Sequence, residues 1–335
     1  MSSDVAKAAV HLGMQDTNTT GILFYGGEPL MERQLIYDTV AYTQDIKKEA
    51  KHNFFYKMTT NGMLLDEDFL KFAQKCNLSI GFSHDGPAQD DCRQMHDGSG
   101  TADVLAKKIP LLLKYHPYAV GMSVIDPTTV HKASKIAKFL YRRGFKYITM
   151  NLNYDRAVAW TPEKLEILRN EYEKIADMYV RLTESEEKIY LSPIDTKILS
   201  HLKGEKYHID RRKMAQNQPS IAPDGKIYTA SMHLNDPTFQ IGDVFSGIDE
   251  KRRAFLYKKG GELAPECREC AIVTRCNYAY GNMDLDISPI QCAHEQIITP
   301  IADRAAEKLF AARSAMFIHK HYNSMYPVLS LIEDI

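Results

Sequence analysis

The chain has 335 residues, 44% hydrophobic and 25% charged, which suits one large domain and a smaller one of ordinary globular composition. Its 42 Lys plus Arg nearly cancel 43 Asp plus Glu, which excludes a field that gathers nucleic acid or an anionic membrane. No stretch approaches the roughly 20 apolar residues of a membrane span, and the opening MSSDVAKAAVHLGMQ has neither a basic n-region nor an apolar h-region. The expectation is a cytoplasmic protein whose six cysteines do not pair as disulfides.

From Ser2 to Asn151 helical and extended patterns alternate with Gly, Asn or Pro punctuation, as in repeated βα units around a parallel sheet. Ser3 is read as the cap of a first helix over Val5, Ala8, Ala9 and Leu12; the strand GILFY follows and ends at Gly26-Gly27. A helix spans about Glu32 to Lys48. The strand HNFFYKMTT stops at Asn61-Gly62, and Asp66 opens a helix through Cys76. After the strand LSIGFS and a loop rich in Asp and Gly come a helix near Val104 to Tyr115, the strand YAVGMSVI, a helix near Val130 to Arg143 and the strand KYITMNL. Strands with apolar centres, each trailed by an amphipathic helix, imply a sheet buried on both faces.

The fold class expected is α/β, a partial (β/α)6 TIM-like barrel over residues 1–160. It starts on a helix where a barrel needs a strand, so a preceding strand is expected and the barrel reads as N-terminally truncated. A helical connector follows over 161–209, with a long helical pattern from Thr161 to about Glu186. A turn-rich, cysteine-bearing domain spans 210–300, where APDGKIY reads as a hairpin around Asp224-Gly225. The tail, 301–335, continues a helical pattern over Ile297 to Arg313.

Cys267, Cys270, Cys276 and Cys292 form C-x2-C-x5-C-x15-C. Four thiolates suit either a cubane iron–sulfur cluster or tetrahedral zinc, both soft-ligand sites, and the spacing alone does not choose between them. The bland alternative, four buried thiols acting as small hydrophobes, fits poorly with the polar context PECREC. Cys76 and Cys92 belong to no motif and read as an ordinary helix thiol and loop thiol.

Three strand ends carry polar groups beside glycines. In FYGGEPL two glycines let the backbone approach a ligand, Glu28 presents a carboxylate, and Pro29 fixes the entry to the next helix. An ammonium group is well held by such carbonyls and a carboxylate. TTNG offers Thr60 and Asn61, and SHDGP offers Ser83 and Asp85. Each alone is equally an ordinary tight turn; three in succession on one barrel face point to a binding site.

FYGGEPL, TTNG and SHDGP, in this order, resemble the GGEP, T-N-G and S-x-D-G strand ends of radical SAM enzymes. The opening MSSDVAKAAV resembles that family's first helix. IAPDGKIY, IGDV and the cysteine run with CNYAYGN resemble the SPASM extension of its peptide-modifying and sulfatase-maturing members. The resemblance covers essentially the whole chain. It implies binding of S-adenosylmethionine, with Gly26, Gly27 and Glu28 at the methionyl amino end, Asn61 and Ser83 at the ribose or carboxylate, and Arg93 at the carboxylate. Asp85 is expected to brace its own loop. It also implies a [4Fe–4S] cluster on Cys267, Cys270, Cys276 and Cys292, with zinc as the alternative metal. The partners implied are a peptide or protein substrate and a reductant such as flavodoxin or ferredoxin.

The chain departs from the family in three places. No C-x3-C-x2-C is present to hold the radical-generating cluster. The positions of two first auxiliary-cluster cysteines are Ala230 and Tyr280, so that site is expected to be empty. Ser231 stands where sulfatase maturases place an acidic base, which turns the expectation towards another peptide or protein substrate. The reading is therefore a maturase of a ribosomally made peptide or protein that lacks the radical-cluster cysteines and is inactive alone. The alternative is a non-catalytic peptide-binding protein with one structural Fe–S or zinc site.

Overall fold

A computed structural model describes residues 1–15, 18–203, 218–278 and 287–322 of the chain. Strands and helices alternate: α1 (Ser3–Gly13), β1 (Thr19–Phe24), α2 (Arg33–Ala50), β2 (Asn53–Thr60), α3 (Glu67–Lys75), β3 (Leu78–Ser83) and the single turn α4 (Gln89–Cys92). Then come α5 (Ala102–Tyr115), β4 (Val120–Ile125), α6 (Ala133–Arg142), β5 (Tyr147–Leu152), α7 (Pro162–Glu184), β6 (Tyr190–Leu191) and α8 (Ser192–Lys203). The strands form one six-stranded sheet in the order β1-β2-β3-β4-β5-β6. Strictly sequential order is that of a wound (β/α) barrel, since a doubly wound sheet reverses direction partway.

Internal contacts divide the chain into two compact units, Met1–Lys57 with Lys203–Ile287, and Met58–Leu202 with Ser288–Ile335. In the second unit β3, β4, β5 and β6 pair in parallel, with Gly81 opposite Val120, Val120 opposite Tyr147, and Tyr147 opposite Tyr190. Only Asn151 of β5 is exposed, as for a strand covered on both faces. The expectation of two buried faces fails for β1, none of whose residues is buried. The connector is not wholly helical either: it contributes β6, whose two residues are too few to leave a periodic signal.

Local chemistry explains the helix starts. Asp66 Oδ1 accepts from Phe69 N (2.9 Å) and Thr161 Oγ1 from Lys164 N (3.3 Å), each a side-chain cap followed by an amphipathic run. The cap of α1 is Ser2, whose Oγ accepts from Val5 N (3.3 Å), one residue before the Ser3 expected. At the second strand end, Gly62 has φ +80°, and a Cβ there would lie 2.3 Å from the Phe82 ring. Only glycine meets both demands.

The first unit also holds a small antiparallel sheet, β7 (Ser220–Ile221), β8 (Lys226–Tyr228), β9 (Gln240–Asp243) and β10 (Gly247–Ile248), and a helix α9 (Glu250–Gly260). The hairpin at Asp224-Gly225 is present, with Gly225 at φ +94° and Ile221 paired to Ile227. Val5 of α1 is buried in one cluster with Ile227, Ile241 and Leu256. In the second unit α10 (Pro289–Ala311) packs along α7, and α11 (Ala315–Tyr322) follows. Gln291 Oε1 accepts from Ser288 N (3.2 Å) at the start of α10, so this helix starts eight residues before the periodic pattern that began at Ile297.

Candidate functional site

The glycines after β1 are exposed and take left-handed conformations, φ +97° at Gly26 and +53° at Gly27. A Cβ at either would meet nothing within 4 Å among the described residues, which leaves the backbone open to a ligand. Glu28 Oε1 accepts from Leu30 N (3.0 Å), capping the short helical turn Pro29–Glu32 and fixing the carboxylate at its start.

In the second unit, Asn61 Oδ1 accepts from Met63 N (2.9 Å) and Thr60 Oγ1 from Gly62 N (3.0 Å), which locks the turn after β2. Ser83 ends β3 and is half-buried, and its side chain has no hydrogen-bond partner among the described residues. His84 beside it is buried and stacked on Phe139. Its Nδ1 accepts from Gly86 N (2.8 Å), so the proton sits on Nε2, which has no partner among the described residues. Burial pushes its pKa down to about 4.

Asp85 is 1% exposed and does more than brace its own loop. Its Oδ2 accepts from Arg93 Nε (2.7 Å), while Oδ1 accepts from Ser123 Oγ and Val124 N (both 2.9 Å). One carboxylate thereby ties the loop after β3 to Arg93 and to the neighbouring strand β4. Asp90 anchors the same loop by accepting from Thr101 N (2.7 Å) and Ala102 N (2.8 Å) at the start of α5.

The cysteines are divided between the units. Cys267 and Cys276 are buried and Cys270 half-buried in the first; Cys292 is exposed on α10 in the second. Cys270 N donates to Cys267 O (3.2 Å), and Tyr278 N donates to Cys276 Sγ (3.4 Å). A backbone N–H aimed at sulfur stabilises a thiolate, so the donor chemistry suits a thiophilic metal or cluster. Among the described residues no three His, Cys, Asp or Glu side chains are gathered to hold a metal ion. Ala230 and Ser231 follow β8, and Tyr280 lies outside the described residues. Cys76 is half-buried and donates to Ala73 O (3.6 Å), and burial raises the thiol pKa of both Cys76 and Cys92.

Two arrangements around α10 had no signal in the sequence. His294 is buried between two hydroxyls, with Tyr154 Oη 2.8 Å from Nδ1 and Tyr172 Oη 3.0 Å from Nε2; burial lowers its pKa to about 3. Lys197 and Glu295 form an ion pair of 2.5 Å whose side chains are 2% and 1% exposed. Lys197 lies six residues beyond β6, in a stretch where sequence reading saw only a connector.

No family model matches the chain. A cysteine-type anaerobic sulfatase-maturating enzyme from Clostridium novyi (strain NT) is 28% identical over 129 residues, 37% of this chain and 34% of that protein. A serine-type anaerobic sulfatase-maturating enzyme from Bacteroides thetaiotaomicron is 20% identical over 305 residues, 83% of this chain and 73% of that protein. The match to the first of these spans about a third of its length. Among solved structures, native anSMEcpe with bound AdoMet superposes with a TM-score of 0.76 at 17% identity, covering 93% of this chain and 90% of that one. With bound AdoMet and Kp18Cys peptide the same protein gives 0.73 at 16% identity, over 93% and 91%. Streptococcus suis SuiB bound to precursor peptide SuiA gives 0.56 at 13% identity, over 86% and 67%.

Proposed function

We propose that this relative of the anaerobic sulfatase-maturating enzymes and other radical SAM proteins binds S-adenosylmethionine at its strand ends and acts on a peptide or protein. One observation carries the reading: the three polar, glycine-bearing strand ends follow β1, β2 and β3 of a sequentially ordered sheet, in a fold shared with AdoMet-bound maturases. Gly26 and Gly27 leave backbone groups open to a ligand, and Glu28 is assigned the methionyl ammonium. Asn61 and Ser83 are assigned the ribose or carboxylate. Arg93, whose Nε is spent on Asp85, is assigned the carboxylate through its terminal nitrogens. Bound with a reduced four-iron cluster, S-adenosylmethionine supplies a 5'-deoxyadenosyl radical that takes hydrogen from a substrate.

A peptide or protein substrate is supported by the peptides bound in anSMEcpe and SuiB. Ser231 cannot take a proton as a carboxylate does, so the reading favours a modification other than sulfatase maturation. Cys267, Cys270, Cys276 and Cys292 are assigned one auxiliary [4Fe–4S] cluster, supported by their spacing and by the Tyr278 N–H on Cys276. The six cysteines include no C-x3-C-x2-C, so this chain by itself is expected to release no 5'-deoxyadenosine on reduction.

Titration of the anaerobically reconstituted chain with S-adenosylmethionine tests the site. Binding is expected, weakened about tenfold or more by Gly27→Val, whose side chain occupies the open approach and disfavours φ +53°. No binding to the parent chain, or equal binding to the variant, overturns the assignment. Reconstitution is expected to load about one four-iron cluster per chain, lost in Cys270→Ser; tight zinc without iron would favour a structural zinc site instead.

A further inference from the structure

The second unit carries a groove of about 430 Å³ between α6 and α7, lined by none of the strand-end or cysteine-motif residues. Lys135, Lys138, Arg142, Lys174 and Arg181 line it, and among the described residues no Asp or Glu does. Such a concentration of one sign is unexpected in a chain of net charge −1. It originates in sequence: residues 127–154 contain no acid, while Lys132, Lys135, Lys138, Arg142, Arg143 and Lys146 fall in the same stretch.

Ordinary surface cations pair with neighbouring acids, and here Glu171, which bridges Ser134 and Lys174, is already spent. Glu171 is buried; its Oε2 accepts from Ser134 N (2.8 Å) and Ser134 Oγ (2.5 Å), and its Oε1 accepts from Lys174 Nζ (2.6 Å). Lys132 and Lys146 are likewise paired, with Asp91 and Glu187. Lys135, Lys138, Arg142 and Arg181 are exposed and have no ion-pair partner among the described residues. Four unneutralised cations around one concavity repel each other and are stabilised by an anionic occupant.

The floor narrows the choice of occupant. Tyr141, Met178 and Leu182 are half-buried and give it apolar surface, which a phosphate ion or a sugar-phosphate backbone does not use. At 1.5 Å per residue, α6 offers about 15 Å of groove, the reach of roughly four to five extended residues. We propose that the α6–α7 groove docks an acidic polypeptide segment, with an apolar side chain seated on Tyr141, Met178 and Leu182 and carboxylates paired to Lys135, Lys138, Arg142 and Arg181. Lys and Arg supply both the pairing charge and aliphatic stems that flank the anchor. This inference goes beyond the proposed function, since it needs neither S-adenosylmethionine nor a cluster.

Fluorescence anisotropy with the full chain and a short labelled peptide of glutamates flanking leucines tests it. The peptide is expected to bind, to weaken steeply as salt rises, and to lose about tenfold or more in affinity to the doubly substituted Lys135→Glu, Lys138→Glu chain. Met178→Ser is expected to weaken the glutamate–leucine peptide but not an all-glutamate one. Unchanged affinity in the charge-reversed chain, equal binding of a lysine–leucine peptide, or tighter binding of a single-stranded oligonucleotide would overturn the proposal. Because Lys135 and Lys138 are exposed, unchanged circular dichroism and melting are expected and separate lost docking from lost fold.

Discussion

Replacement of Lys197 by methionine isolates the energetics of a deeply buried Lys–Glu pair in the second unit. Lys197 Nζ lies 2.5 Å from Glu295 Oε2, both side chains are almost fully buried, and Glu295 Oε1 has no hydrogen-bond partner among the described residues. At an effective dielectric of about 20 the attraction at this separation is about 6–7 kcal/mol. Desolvation of the two ions costs several kcal/mol each, so the pair as a whole adds little over apolar packing. Removing one partner is different: Lys197→Met strands a buried carboxylate and is expected to cost about 3–5 kcal/mol. The expected fall in melting midpoint is roughly 10 °C, at about 2–4 °C per kcal/mol for a unit of this size. Adding Glu295→Gln to Lys197→Met is expected to recover a large part of the loss. A four-member melting cycle reads the coupling directly. A single Lys197→Met change within about 1 kcal/mol of the parent, or a double variant as damaged as the sum of both singles, would refute the reasoning. The same substitution removes a cation that lowers the His294 pKa, so His294 is expected to titrate higher in Lys197→Met, as NMR of the ring protons reports.

Acid is expected to weaken the fold through His294 and His84. Both are held neutral by burial, with pKa values of about 3 and about 4, against about 6.5 in the unfolded chain. The unfolded state therefore binds more protons below pH 6.5. Stability is full above that pH and falls as pH drops towards 4, by up to about 1.4 kcal/mol per pH unit for each histidine. Denaturation measured across pH 7 to 4.5 is expected to show a shallower acid limb in His294→Gln; an identical slope contradicts the burial argument. Gly62→Ala is expected to cost about 2 kcal/mol or more in thermal denaturation, from the left-handed backbone and the clash with Phe82, while Gly98→Ala costs less because φ +83° there meets open space. Equal losses at the two positions would show that the Phe82 contact relaxes freely.

The strand ends and helix caps were legible because they are local. Asp66, Thr161, Gly62 and Gly225 act on atoms within a few residues, so composition and spacing reveal them. The cysteine spacing was equally visible. Asp85 was visible only as a turn residue; its bonds to Ser123 and Val124 cross from one strand end to the next and depend on parallel pairing of β3 with β4. β6 escaped because two residues carry no period, and α10 was placed too late because its first turns, which bear Cys292, His294 and Glu295, mix polar with apolar residues.

What the sequence determined by itself is the alternation of strands and helices, the order of the three glycine-bearing strand ends and the thiol inventory, all written in periodicity and short-range chemistry. The tertiary structure alone decided which distant groups meet: Lys197 with Glu295, Tyr154 and Tyr172 with His294, and the cations of α6 with those of α7. Those meetings arise when helices bury their apolar faces against the sheet and against one another, and that packing, not any local pattern, selects the polar side chains sealed beside it.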